Sequence, residues 1–184
     1  MVASDDAKLI EYARHLSTQA RQPGLQYEHN EVGYNYRLSN ILAALGLAQF
    51  EVLDDRVARK REICQKYVET LGEIPGITFM PEAAYGEGNR WLTAALFDES
   101  VFGCGPQGVI DGLENENIEA RPVWFPMHLQ KVFADCRVVG GEVAESIHRQ
   151  GVCLPSGTSM SDEDVARICG IIRELHSGQA RAAS

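Results

Sequence analysis

The sequence predicts an α/β chain in which helices come first and a compact α+β unit with a small, largely antiparallel sheet follows. Apolar residues recur at helical spacing from Asn40 to Leu71. Beyond Gly72 the texture changes to short β runs separated by turns and helices, an order that needs only two layers. With 45% hydrophobic residues among 184, the chain has enough apolar side chains to bury a core.

Asp5 to Ser17 reads as a helix with Leu9, Tyr12, Ala13 and Leu16 on one face, and Gln22-Pro23-Gly24 forces a loop after it. Ser39 or Asn40 caps the next helix, which runs to Leu71 through Ile41, Leu42, Leu45, Phe50, Val52, Leu53, Val57, Ile63 and Tyr67. At 1.5 Å per residue it is about 45 Å long, more than one small domain needs, so it is expected to link two. Ile77–Met80 and Trp91–Phe97 read as strands, Gln107–Asn115 as a helix and Ile118–Val123 as another strand. Glu142–Gln150 reads as a helix, Val152–Leu154 as a short strand and Asp162–Leu175 as the closing helix, opened by a capping box from Ser161 to Asp164. The small, polar tail from Ser177 is expected to fray.

A net charge of -9 argues against a nucleic-acid partner, whose phosphates would be repelled. No run approaches the roughly 20 apolar residues of a membrane span, and the amino terminus lacks a basic segment followed by an apolar one, so cytoplasmic residence is the default expectation. Cys64, Cys104, Cys136, Cys153 and Cys169 form no Cys-x-x-Cys pair, which supports neither a metal site nor a disulfide framework.

The segment most suggestive of chemistry runs from His29 to Gln49 and packs hydrogen-bonding groups into a turn ahead of an apolar helix. Gly33 is free to take a positive φ, Asn35 offers a donor and an acceptor on one short side chain, and Arg37 offers a planar fork suited to phosphate. Its core, Gly33-Tyr-Asn-Tyr-Arg-Leu-Ser-Asn40, closely resembles the signature of the DegT-type nucleotide-sugar aminotransferases, pyridoxal-phosphate (PLP) enzymes of fold type I in the aspartate aminotransferase superfamily. Asp5-Asp6 with the helix after it, Arg121-Pro-Val-Trp-Phe-Pro-Met-His-Leu-Gln130 and Val152-Cys-Leu-Pro-Ser-Gly157 are similar to further family segments, so the resemblance runs through essentially the whole chain.

The resemblance implies that residues 1–38 end a large PLP-binding domain, 39–72 form the linking helix, 73–176 form the small C-terminal α+β domain and 177–184 a disordered tail. It implies that Asn35 reaches across a homodimer interface to the cofactor phosphate of the partner subunit, and that His128 lies near a sugar-nucleotide diphosphate. Tyr34, Arg37, Trp124 and His29 complete the expected substrate side. Each has a plainer alternative. Asn35 could be a turn residue tolerating a left-handed backbone, Arg37 an ion-pair partner, Tyr34 and Trp124 packing groups, and His128 a satisfied interface histidine. His15, His148 and His176 read as surface or structural.

PLP chemistry requires a lysine nucleophile, and the family carries it upstream of the Asp-Asp helix. The four lysines, Lys8, Lys60, Lys66 and Lys131, occupy no setting that would activate them, and Lys60 and Lys66 fall in a charged helix. The chain is therefore expected to be the C-terminal part of an enzyme that moves an amino group from an amino acid, usually glutamate in this family, to a keto nucleotide sugar for polysaccharide or secondary-metabolite biosynthesis. It contains no catalytic residue of its own and is expected to be inactive alone. Two other readings stay open: a dehydrating or regulatory relative of the same fold, and a non-catalytic fragment.

Overall fold

Helix α1 (Ala7–Ser17) begins where the Asp6 carboxylate accepts hydrogen bonds from the amides of Lys8 and Leu9, at 2.9 and 3.2 Å. The computed structural model describes residues 2–182. It divides between Val52 and Leu53 into two compact units. The first holds α1, a polar loop tied by the isolated bridges Thr18–Asn35 and Arg21–His29, and α2 (Asn40–Glu51), capped by the Ser39 hydroxyl at 3.3 Å from the Leu42 amide. Ala20 alone is buried among its described residues, and α2 exposes Ile41, Leu42, Leu45, Leu47 and Phe50.

The single helix expected over 39–72 is two. Val52 leaves helical geometry, with φ -110° and ψ 11°, and α3 (Leu53–Leu71) starts after it. Apolar periodicity cannot see such a break. It counts side chains, and the interruption lies in one residue's backbone.

The second unit is built on four strands, β1 (Ile77–Phe79), β2 (Thr93–Phe97), β3 (Arg121–Pro122) and β4 (Gly151–Leu154), in the order β1-β2-β4-β3 with every pair antiparallel. Ile77 faces Phe97, Thr93 faces Leu154 and Arg121 faces Cys153. Helices α4 (Glu99–Phe102), α5 (Pro106–Glu114), α6 (Glu142–Gln150) and α7 (Asp162–Ala182) complete it, with short 3-10 turns at Met127–Leu129 and Lys131–Phe133. One core gathers Ile63, Tyr67 and Leu71 of α3, Phe97 of β2, Val109 and Leu113 of α5, Val152 of β4, and Ile168 and Ile172 of α7. Tyr67 carries its hydroxyl inside, donating to the Pro155 carbonyl at 3.0 Å, and burial pushes the phenol pKa up.

The expected small antiparallel α+β unit is thus present. The strand expected over Ile118–Val123 shrinks to Arg121–Pro122; at its start the Ile118 amide is taken by Leu113 O at the end of α5, at 2.9 Å. The capping box forms in full, the Asp164 amide donating to the Ser161 hydroxyl at 3.1 Å and the Ser161 amide to the Asp164 carboxylate at 2.8 Å. Helix α7 extends to Ala182, and residues 183–184 of the expected tail lie outside the described residues. No helix among the described residues is long and apolar enough to cross a membrane.

Candidate functional site

In the first unit the site grows out of the way α1 ends. The last carbonyls of a helix lack intrahelical partners, and here the signature segment supplies them. The Tyr34 amide donates to Leu16 O at 2.7 Å and the Tyr36 amide to Ser17 O at 3.0 Å. Thr18 and Ala20 amides both reach His15 O, at 3.1 and 3.0 Å, which requires the backbone to turn left at Gln19 (φ 67°) and Ala20 (φ 52°). Such geometry costs of the order of 1 kcal/mol or more at each non-glycine residue. The turn is held by His29, whose Nδ1–H donates to Gln19 O at 2.8 Å, and by the Gln19 amide on Tyr34 O at 2.9 Å.

Gly33 does not adopt the left-handed backbone that its lack of a side chain allows. Its role is close approach: a Cβ there would lie 2.2 Å from the Ala20 nitrogen and the Gln19 carbonyl carbon. Nor does Asn35 have a left-handed backbone, so the turn-residue alternative does not describe it.

Because the segment is extended, alternate side chains part company. Tyr34 and Tyr36 stack with ring centroids 5.1 Å apart. Asn35 and Arg37 line an open cleft of about 600 Å³ together with Thr18, Gln19, Arg21 and Gln22, and Arg37 also borders the neighbouring cleft lined by Tyr34 and Tyr36. Arg21 is committed locally, its guanidinium 4.0 Å from the Tyr27 ring centre and its Nη2 on Gly24 O at 3.2 Å. Among the described residues nothing hydrogen-bonds the Asn35 amide or pairs with Arg37, so the ion-pair alternative for Arg37 finds no acid here. An uncharged donor and an unneutralised guanidinium side by side suit a phosphate. Of the sequence-predicted residues in this unit, Asn35 and Arg37 share the cleft, the tyrosines stack with each other, and His29 acts on the turn.

In the second unit Trp124 and His128 follow β3 but sit in different surroundings. Trp124 is exposed and lines a cleft of about 570 Å³ with Leu92, Arg121, Phe125 and His148 among others. His128 is not among that cleft's residues. Its Nε2–H donates to the Glu145 carboxylate of α6 at 3.0 Å, and Gly141 lies so close that a Cβ there would be 2.9 Å from the imidazole. Sequence reasoning missed His148, which lines the Trp124 cleft with its Nδ1–H on Val123 O at 2.7 Å. The signal was its place beside Ile147 on the inward face of α6, readable only once the partner of that face is known.

None of the four lysines lies in either cleft. Lys60 donates to Trp91 O at 2.9 Å, Lys66 pairs with Asp162 and Glu62, and Lys8 and Lys131 are exposed.

The model of the DegT/DnrJ/EryC1/StrS aminotransferase family matches residues 1–173. EpsN of Bacillus subtilis (strain 168), assigned to the pyridoxal phosphate-dependent aminotransferases, is 44% identical over 179 residues, covering 95% of this chain and 45% of that protein. GDP-perosamine synthase of Escherichia coli O157:H7 is 32% identical over 177 residues, covering 96% of this chain and 47% of that protein. Among solved structures, the aminotransferase TlmJ from Streptoalloteichus hindustanus superposes with a TM-score of 0.81 at 22% identity, over 96% of this chain and 47% of its own, which is a likeness of fold. The chain spans about half the length of the curated relatives it matches. With the signature turn built as a helix-capping, donor-presenting segment and a family match over residues 1–173, the chain belongs to the DegT/DnrJ/EryC1/StrS aminotransferase family.

Proposed function

We propose that this chain forms the C-terminal part of a homodimeric, PLP-dependent aminotransferase of the cytoplasm that transfers an amino group from an amino acid, glutamate as the favoured donor, to a keto nucleotide sugar. The observation that carries the reading is the placement of Asn35 and Arg37 in one cleft, with no acceptor engaged by either side chain among the described residues. That donor set fits the phosphate of the cofactor. PLP, when bound, supplies the electron sink that makes the proton at the amino-bearing carbon removable. Asn35 would donate its amide N–H groups to a phosphate oxygen across the dimer interface, and Arg37 would hold the remaining negative charge.

The lysine nucleophile belongs, in this reading, to the portion of the relatives' length that the chain does not span, since the lysines present are ion-paired, tied to backbone or exposed. In the second unit His128, its Nε2–H held on the Glu145 carboxylate, would meet the sugar-nucleotide diphosphate as the doubly protonated ring, donating its Nδ1–H to a phosphate oxygen. Trp124 offers an indole face to the same substrate. The name of the perosamine synthase relative supports a nucleotide-linked sugar as acceptor.

The test is made on the complete enzyme. Loss of a hydrogen bond to a charged acceptor costs roughly 1.5–3 kcal/mol, about a tenfold to hundredfold loss of affinity. Asn35→Ala therefore raises the PLP concentration for half-activity by that factor. His128→Ala leaves PLP affinity alone and raises the Michaelis constant for the nucleotide sugar. Unchanged cofactor affinity in Asn35→Ala contradicts the assignment, as does equal damage by His128→Ala to both half-reactions.

A further inference from the structure

Backbone hydrogen bonds hold the signature segment at two points. Before it, the Gln22 amide donates to Glu28 O at 2.9 Å; further along, the Tyr34 and Tyr36 amides reach the last carbonyls of α1. Between those points residues 31–33 make no backbone hydrogen bond among the described residues. The polar tie of that stretch is one side chain, the Glu31 carboxylate.

Glu31 reaches two residues of α1. The Tyr12 hydroxyl donates to its Oε2 at 2.5 Å, and His15 Nε2 stands 3.5 Å from its Oε1. Residues three apart share a helix face, so a single carboxylate spans one turn of α1. The phenol is the steady partner: its hydrogen bond to Glu31 raises the Tyr12 pKa, which keeps it a donor. The imidazole adds an ion pair only when protonated. This is also the turn whose His15 carbonyl receives the Thr18 and Ala20 amides. The helix end, the left-handed Gln19–Ala20 turn and the segment that crosses them are therefore referenced to one another.

The clasp contributes nothing to a core. Tyr12 is 50% exposed and Glu31 is exposed, and water competes for both partners of such a bond. Its physical effect is to fix a position. Asn35 lies four residues beyond Glu31 on the same extended backbone, and a productive hydrogen bond tolerates a misplacement of only about 0.5 Å.

We propose that Glu31 is a positioning residue of the cofactor site: clasped by Tyr12, with His15 in support, it sets where the signature segment crosses α1 and thereby where Asn35 meets the cofactor phosphate. The proposal rests on the phosphate reading of Asn35 above and adds to it the side chains that aim the amide.

Two measurements test it. In the 184-residue chain, Glu31→Ala accelerates hydrogen exchange at the Tyr34 amide roughly threefold to tenfold, while the unfolding midpoint of the second unit stays where it is. In the complete enzyme, calorimetric titration with pyridoxamine phosphate, which binds without a covalent bond to the lysine, reads cofactor affinity without turnover. Glu31→Ala and Tyr12→Phe each weaken it roughly threefold to tenfold, and His15→Gln weakens it less than either. Glu31→Gln, which keeps an acceptor for the Tyr12 hydroxyl, stays within about twofold of the unaltered enzyme. Added to Asn35→Ala, Glu31→Ala changes nothing further, because the clasp acts through Asn35; a general loosening of the fold would add its own loss. Unchanged affinity in Glu31→Ala, where Asn35→Ala is weakened, overturns this proposal alone, as does a Glu31→Ala loss that persists in full in the Asn35→Ala background. Unaltered Tyr34 exchange in Glu31→Ala overturns it as well. Unchanged affinity in Asn35→Ala overturns the phosphate reading itself, and this proposal with it.

Discussion

The two units of this chain are held together by different physics. The second buries a continuous apolar core with Tyr67, Phe97, Phe102 and Leu113 essentially inaccessible, and its strands and helices close around that core. The first buries Ala20 alone among its described residues and relies on backbone hydrogen bonds that carry the signature segment across the end of α1. Burial stabilises the second by its own area, at about 25 cal/mol per Å² of apolar surface. The first spends its order on display: two left-handed residues, a glycine in backbone contact and five large apolar side chains of α2 left outward. A helix apolar on every side is stable only when something covers it. The first unit is accordingly read as a site and assembly surface, and the second as the self-sufficient fold.

The largest expected contrast comes from truncating one large apolar residue in each unit. Phe97→Ala, at a fully buried ring in edge contact with Phe102 at 5.1 Å, costs about 3–5 kcal/mol in urea unfolding. Ile41→Ala, at a residue 82% exposed, stays within about 0.5 kcal/mol in the same assay. Comparable losses at both positions would erase the distinction.

Gly33→Ala sharpens it from the other side. The added methyl meets the Gln19–Ala20 backbone at 2.2 Å, and an overpacked contact of that kind costs roughly 1–3 kcal/mol locally. Hydrogen exchange at the Tyr34 and Tyr36 amides accelerates by about fivefold to a hundredfold, while the unfolding midpoint of the second unit does not move. Protection that survives the substitution would mean that Gly33 is not needed for close approach.

The smallest effect is electrostatic and belongs to the second unit. Glu82 accepts a bidentate pair of hydrogen bonds from Arg61 at 2.8 and 3.0 Å and one from the Gly88 amide at 2.6 Å, and Arg61 above all holds its carboxyl down to about 2 against an ordinary 4.5. A depressed folded-state pKa contributes stability that is present above pH 4.5 and is lost as pH falls through about 2. The melting temperature of the unaltered chain therefore falls more steeply with acid between pH 4.5 and 2 than that of Glu82→Gln. Parallel slopes would show that the Arg61 pair adds nothing.

Much of the second unit was legible because its elements announce themselves locally. The Glu142–Gln150 helix matches its apolar period, the Ser161–Asp164 box closes on itself, and the strands at Ile77, Thr93 and Val152 follow short β-branched or apolar runs between turns. The break at Val52 and the shortened β3 were not legible, since each depends on one residue's backbone. In the first unit the signature named the right residues to inspect, but the reason for Gly33 was hidden in its distance from Gln19 and Ala20. The seat of His148 was hidden in the same way, in the packing of α6 against the Trp124 cleft.

The central claim is that Asn35 serves a cofactor held by a lysine of the other subunit, and mixing tests it most directly. Complete enzyme carrying Asn35→Ala is dissociated and reassembled with an equal amount of enzyme whose lysine nucleophile is replaced. Random pairing makes about half of the dimers hybrid, each with one site that combines an intact lysine with an intact Asn35 from the other subunit. The account predicts recovery of about one quarter of unaltered activity per total sites. Confirmed hybrid dimers with no activity above that of the two parents would place Asn35 and the lysine in the same subunit and contradict it.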